Sequence, residues 1–300
     1  MVETVLPRRL QPGDTVAVVA PAGPVTPQRV EPGFELLRSW DLHPVAGEHL
    51  HAAHGYLAGD DGRRLADLQA ALDDPDVRGV VAARGGYGTQ RIVDELDLAA
   101  LGGDPKPVLG FSDLTALHLT IRRRIGLVTF HGPGAAWDRD RLGGGPGAQL
   151  RAMLMDPEPP GVIGPGLEPV VAGVAEGPLV GGNLALLTAS IGTVDQPDLA
   201  GAVVFLEDVG EPAYRLDRML THLLRAGMLD DVAGIVLGDT EVAGEGPSFA
   251  EIAAERLSGL DVPVRAGLPA GHGRGQLTLP LGARVRLDDV LTVPDRVTDG

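Results

Sequence analysis

The sequence predicts an α/β chain: an N-terminal parallel-sheet domain of Rossmann-like or flavodoxin-like type, then a mixed α/β C-terminal domain with barrel-like β structure. Three observations predict it. In the first half, short apolar runs alternate with amphipathic stretches of helical period, the βαβα order that builds a parallel sheet with helices on both faces. Between 143 and 166 that order dissolves into Gly- and Pro-rich sequence. The alternation then resumes, and the end of the chain (276–293) alternates apolar and polar residues with no helical period, through Leu277, Leu279 and Leu281 and then Val285 and Leu287, which reads as antiparallel or barrel-like β. Domains are expected at 1–142 and 167–300, with a linker at 143–166.

The elements follow in order. Residues 15–19 are a nearly continuous β-branched run, as a strand buried on both faces requires, and Pro21-Ala22-Gly23-Pro24 ends it. A helix is expected over 27–40, interrupted at Pro32-Gly33. Asp60 or Asp61 caps a helix that reaches Leu72 and keeps Leu65, Leu68 and Leu72 on one face. A strand at 77–82, a short helix at 89–96, a strand at 108–111, a helix at 114–123 and a strand at 127–130 complete the first half. In the second half, 181–191 reads as helix, 202–206 as strand, 214–226 as helix, 235–237 as strand and 249–257 as helix.

Composition bounds the partners. Three hundred residues with 44% apolar content can bury a large core, and aromatics are only 3%, so Ala, Val, Leu and Ile must fill it. A net charge of −16 repels phosphate backbones and anionic membrane surfaces, which argues against nucleic acid or a membrane as partner. The absence of cysteine removes disulfides, thiolate nucleophiles and cysteine-held zinc. The first ten residues lack a secretory apolar stretch, and no run approaches the roughly 18–20 apolar residues of a membrane span. A soluble, cytoplasmic chain is expected.

The chemistry is sought at strand ends. Lys106-Pro107-Val108-Leu109-Gly110-Phe111 stops at Ser112, and the helix pattern Leu114, Leu117, His118, Ile121 starts at once. That presents a hydroxyl at the carboxyl end of a strand, where open α/β sheets keep their sites. Of the five serines, Ser112 alone stands in such a turn, so it is the candidate nucleophile. Of the eight histidines, His118 and His222 fall within helix patterns and read as structural. His43, His49, His51 and His54 read as scattered loop residues, because no carboxylate cluster completes a metal set at useful spacing. His131, ending strand 127–130 beside Gly132-Pro133, and His272, between Gly271 and Gly273, are equal candidates for a base on spacing alone. Glu207-Asp208 follows strand 202–206, the place for a carboxylate that orients such a base; one of the pair, or Glu211, could instead cap the helix near Pro212. Arg84-Gly85-Gly86-Tyr87-Gly88 follows strand 77–82. Its glycines allow close backbone approach to a ligand, and their N–H groups could hold an oxyanion. The spacing matches neither G-x-G-x-x-G nor a P-loop.

Taken together, these pieces resemble the LD-carboxypeptidases, cytoplasmic serine peptidases that recycle murein peptides. The resemblance runs through Val19-Ala20-Pro21-Ala22-Gly23, Tyr56-Leu57-Ala58-Gly59-Asp60, Ala83 to Gly88, Lys106 to Asp113, His131-Gly132-Pro133, Gly181-Gly182-Asn183-Leu184, Leu206-Glu207-Asp208 with Tyr214 to Arg218, and Gly271-His272. It implies a Ser112–His272–Glu207 triad, an oxyanion hole from the backbone N–H groups of Gly86 and Asp113, and substrate contacts from Arg84, Tyr87 and His131. It implies no metal or other cofactor. The implied reaction is hydrolysis of the L,D-peptide bond that releases terminal D-Ala from a murein tetrapeptide, with a small peptide as partner and a homodimer left open. Gly110-Phe111-Ser112-Asp113-Leu114 is not G-x-S-x-G, since Leu114 stands at the second glycine position, so this elbow differs from that of the α/β-hydrolases. One departure from the family stands out: Gln276 replaces the Asn that the family often carries past the histidine. The microcin-immunity branch of the same superfamily, which cleaves a peptidyl-nucleotide amide, is the alternative, with Trp137 as the aromatic that could stack on adenine. A non-enzymatic small-ligand module built on the Arg84–Gly88 loop is the third reading.

Overall fold

The β-branched run Thr15–Val19 forms strand β1, and its neighbours in the first half assemble around it. The computed structural model describes residues 3–136, 145–164, 166–273 and 276–300. Strands β2 (His43–Ala46), β3 (Val77–Ala82), β4 (Val108–Gly110) and β5 (Thr129–His131) lie parallel to β1. With β14 (Leu279–Leu281) they form a six-stranded sheet ordered β14-β5-β4-β3-β1-β2. The strand order reverses between β1 and β3, so the loops after these two strands diverge and leave a crevice at their carboxyl ends.

Helices cover this sheet. α1 (Pro27–Ser39) runs unbroken through Pro32, and Gly33 is needed there because a Cβ would lie 2.2 Å from the Ala135 carbonyl oxygen. α2 (Asp61–Asp73) is capped by Asp60, whose side chain accepts from the Arg63 N–H at 2.9 Å. The expected helix at 89–96 is two 3₁₀ turns, Thr89–Arg91 and Val93–Glu95. Helices α3 (Ala99–Gly103) and α4 (Thr115–Ile125) complete the half.

The segment read as linker carries helix α5 (Gly145–Met155), with Leu150, Met153 and Leu154 buried, and strand β6 (Gly161–Gly164). β6 belongs to a curled eight-stranded sheet with β7 (Glu168–Val171), β8 (Ala175–Asn183), β9 (Val203–Glu207), β11 (Gly234–Asp239), β13 (Val264–Gly271), β15 (Arg284–Leu287) and β16 (Leu291–Val293), ordered β6-β16-β15-β8-β9-β11-β13-β7. Its centre, β8-β9-β11-β13, is parallel. Strands β10 (Val209–Pro212) and β12 (Glu241–Ala243) pair separately. Helices α6 (Leu184–Ala189), α7 (Ala213–Arg225) and α8 (Phe249–Leu257) follow β8, β10 and β12. The stretch expected as helix from 181 is strand as far as Asn183, because β8 continues into the Gly181-Gly182 backbone.

The two sheets share chain and core. Leu279–Leu281 belongs to the first sheet, antiparallel to β5, although it lies in the last tenth of the sequence. Leu109 and Phe130 of the first sheet and Phe205, Leu268 and Val285 of the second stand in one buried cluster.

Candidate active site

Ser112 sits at the turn that the sequence singled out. Strand β4 ends at Gly110, and Ser112 opens a 3₁₀ turn (Ser112–Leu114) that runs into α4. Its φ is +64°, a region costly for a residue with a Cβ. Two glycines make room. A Cβ on Gly85 would lie 2.7 Å from the Ser112 Cβ, and one on Gly110 would lie 2.7 Å from the Leu114 Cγ.

The partners come from the other sheet. Glu207 ends β9 and is completely buried, and His272 follows the last residue of β13 with 15% of its side chain exposed. His272 Nδ1–H donates to Glu207 Oε2 at 2.6 Å, which leaves Nε2 facing Ser112 Oγ at 3.1 Å. A carboxylate on Nδ1 fixes the tautomer whose Nε2 can take a proton from the hydroxyl. The ring of Phe111 packs 5.0 Å from the His272 ring. Gly271, with φ +116°, lets the base loop pass Glu207: a Cβ there would meet Glu207 Oε2 at 2.7 Å.

The supporting residues have structural partners of their own. Asp208, the neighbour of Glu207, accepts from Asn183 Nδ2 (3.2 Å) and from the Ala185 N–H (3.0 Å), so it fastens the start of α6 rather than the helix after Pro212. Burial pushes its pKa up. Thr115, in the first turn of α4, accepts from the Asn183 N–H at 3.0 Å, and Gly182 lets β8 come that close, since a Cβ would stand 2.5 Å from Thr115 Oγ1. His118 is buried beneath the elbow, where its Nε2–H donates to the Gly110 carbonyl at 2.8 Å, and burial lowers its pKa to about 4.

His131 lies below the site and makes no hydrogen bond to Ser112. It is completely buried, wedged edge-on between Phe111 (6.0 Å) and Phe205 (5.0 Å), and its ring nitrogens have no partner among the described residues. Burial first, then the nearby His118 and His272, hold its pKa well below the ordinary histidine value. It was expected to contact substrate, but full burial keeps it off the cleft surface.

The cleft itself, about 680 Å³, is lined by Gly23, Pro24, Tyr56, Arg84, Gly86 and Tyr87. It opens at the strand-order reversal, between the loops after β1 and β3. Buried Arg64 ties these loops together by donating to the carbonyls of Pro21 and Gly88. Arg84 reaches only the Pro24 carbonyl, at 3.5 Å, and no carboxylate lies within 4 Å of it among the described residues. Tyr56 and Tyr87 stand at the mouth, 67% and 50% exposed and edge to face at 5.6 Å. Gly86 has φ +126°. The Asp113 carboxylate turns inward to accept from the Thr89 N–H at 2.8 Å. Gln276 is buried, with its Nε2 unpartnered among the described residues, and makes no bond to His272. His49 is engaged by Asp67 at 2.8 Å, and no group of three His, Asp or Glu suited to a metal occurs among the described residues. Trp137 lies outside the described residues.

One acidic residue escaped notice in the sequence. Asp239 ends β11, between the strands that end at Glu207 and Gly271. The rule that singled out Glu207, an acid directly after an apolar strand run, reaches Asp239 only if it is loosened by one residue, since Gly238 stands between Leu237 and Asp239.

Comparison with known proteins agrees with this architecture. The LD-carboxypeptidase N-terminal domain matches residues 16–132, and the LD-carboxypeptidase C-terminal domain matches residues 176–287. A Streptomyces coelicolor protein named as an unconfirmed carboxypeptidase is 48% identical over 96% of this chain and 94% of its own length. The crystal structure of a muramoyltetrapeptide carboxypeptidase from Oxalobacter formigenes, 30% identical, covers 95% of this chain and 100% of its own with a TM-score of 0.84. The microcin C7 self-immunity protein MccF of Escherichia coli is 25% identical over 92% of this chain and 91% of its own. A structure of MccF superposes with a TM-score of 0.90 over 98% of this chain and all of that one, at 24% identity, a likeness of fold. The chain belongs to the LD-carboxypeptidase family and is a serine carboxypeptidase.

Proposed function

We propose that the enzyme releases the terminal D-Ala of murein tetrapeptides by cleaving the L,D-peptide bond through an acyl-enzyme. The observation that carries this reading is the continuous hydrogen-bonded chain from Ser112 through His272 to Glu207 at the edge of a cleft. In the proposed sequence His272 Nε2 takes the Ser112 proton as Oγ attacks the scissile carbonyl. The tetrahedral oxyanion is held by the N–H groups of Gly86 and Asp113. The imidazolium, stabilised by buried Glu207, then gives its proton to the leaving amine of D-Ala, and water hydrolyses the ester with His272 again as base. Arg84 is the group proposed to hold the D-Ala carboxylate, and Tyr87 lines the same wall. The setting is cytoplasmic recycling of murein peptides. No helix among the described residues is long and apolar enough to cross a membrane.

The likeness to MccF favours a second reading, cleavage of a peptidyl-nucleotide amide by the same three residues. Ser112→Ala tests the mechanism. It should reduce D-Ala release from a defined tetrapeptide by at least about a thousandfold with unchanged circular dichroism, and EDTA should leave the wild type unaffected. Full activity in the variant, or loss on chelation, would refute the mechanism. Cleavage of a peptidyl-nucleotide amide with no D-Ala release would select the second reading.

A further inference from the structure

Asp239 is a charged group that this chemistry does not use. Three adjacent parallel strands deliver their ends to one sheet edge: β9 brings Glu207, β13 brings the base loop, and β11, lying between them, brings Asp239. Asp239 pairs with Gly271 in the ladder, and its carboxylate lies against the residue after the base, since a Cβ on Gly273 would stand 2.1 Å from Asp239 Oδ2. The side chain is half-buried. Among the described residues it has no hydrogen-bond donor and no cation within 4 Å. Burial pushes its pKa up.

A half-buried carboxylate without a partner is costly, and in a chain of net charge −16 a neutral residue would spare that cost. Arg84, on the first-sheet wall, is likewise without a carboxylate within 4 Å among the described residues. Among the described residues the two sheets therefore present one anion and one cation without a charge partner near the Ser112–His272 pair. That arrangement complements a zwitterionic substrate with a carboxylate on the leaving side and an ammonium on the acyl side.

We propose that Asp239 is an ammonium subsite, a specificity-determining carboxylate that receives a side-chain ammonium on the substrate residue that supplies the scissile carbonyl. The assignment rests on the peptidase reading above. It is tested on the full-length enzyme with two tetrapeptides that differ at one group: the third residue carries either its ω-ammonium or a methyl in its place. The wild type should show a KM about tenfold lower for the amine-bearing peptide, the worth of one charge-assisted contact. Asp239→Asn should abolish that difference by raising KM for the amine-bearing peptide alone, with kcat within about twofold on both, and Asp239→Glu should restore part of it. Equal losses on both peptides would show that the carboxylate serves the His272 loop, and would overturn the assignment, as would a wild type indifferent to the amine. Failure of the wild type to release D-Ala from either peptide would overturn the functional reading and this assignment with it.

Discussion

Two histidines that titrate abnormally lie beneath the nucleophile, and both matter to stability. His118 and His131 are buried and neutral, His118 with a pKa of about 4 and His131 shifted the same way. In the unfolded chain each would titrate near 6.5. Between about pH 6.5 and the depressed native value, the unfolded state therefore binds more protons, so stability falls as pH falls through that window. At pH 5 His118 costs about 2 kcal/mol relative to pH 7, an upper figure for a fully buried ring, and His131 acts in the same direction. His131→Phe removes one of the two groups and two orphaned nitrogens, so its denaturation midpoint should drop less between pH 7 and pH 5 than that of the wild type. An equal drop in both proteins would refute the assignment. The same burial explains why spacing alone could not choose a base: His131 and His272 both follow strands beside glycine, and only packing puts one under the site and the other in it.

At the scale of elements, the elbow depends on what its neighbours lack. Ser112 holds a positive φ at the β4-to-α4 turn, and Gly85 on the neighbouring strand loop makes room for its Cβ and Oγ. Gly85→Ala would place a methyl 2.7 Å from the Ser112 Cβ and 3.1 Å from the Phe111 carbonyl oxygen, with backbone and an elbow as neighbours that cannot yield cheaply. The expected result is a kcat loss of at least about a hundredfold, with a stability cost of about 1–3 kcal/mol. Wild-type kcat in a folded variant would show that the elbow tolerates displacement. Much of this element was legible: a strand run, a serine and a helical period in direct succession describe the turn before any coordinate does. Glu207 was legible in the same way, as acid after apolar strand. The placement of Leu279–Leu281 was not, because alternation specifies a strand with one buried face and says nothing about which sheet edge receives it. Strand β2 was missed because its four residues are largely exposed and carry no periodicity. The helix and strand within 145–164 were hidden by the glycines and prolines around them.

On the scale of the whole molecule, the site exists only where the two sheets meet, since Ser112 comes from one and Glu207 and His272 from the other. One contact near the far end of α4 adds to the pairing and shared core that hold that meeting. Asp195, 10% exposed and from the segment after α6, accepts two bonds from Arg124 at 2.9 Å each and one from Thr120 Oγ1 at 3.0 Å. Both donors lie on α4, the helix that begins three residues after the nucleophile. Asp195→Ala would leave a guanidinium 27% exposed, with only Asp94 at 3.5 Å for company, and a buried hydroxyl without its acceptor. Removing one partner of such a group costs about 2 kcal/mol once the partial exposure is discounted, which for a chain of this length lowers Tm by about 3 °C. If α4 must be held for Ser112 to meet His272, kcat for D-Ala release should fall severalfold well below that Tm, while KM changes little because the Arg84–Tyr87 wall is untouched. Asp195→Asn, which keeps one acceptor oxygen for Arg124 or Thr120, should recover part of both losses. A lowered Tm with kcat unchanged would mean that the nucleophile is positioned by β4 and Gly85 alone, independently of how the second sheet grips its helix.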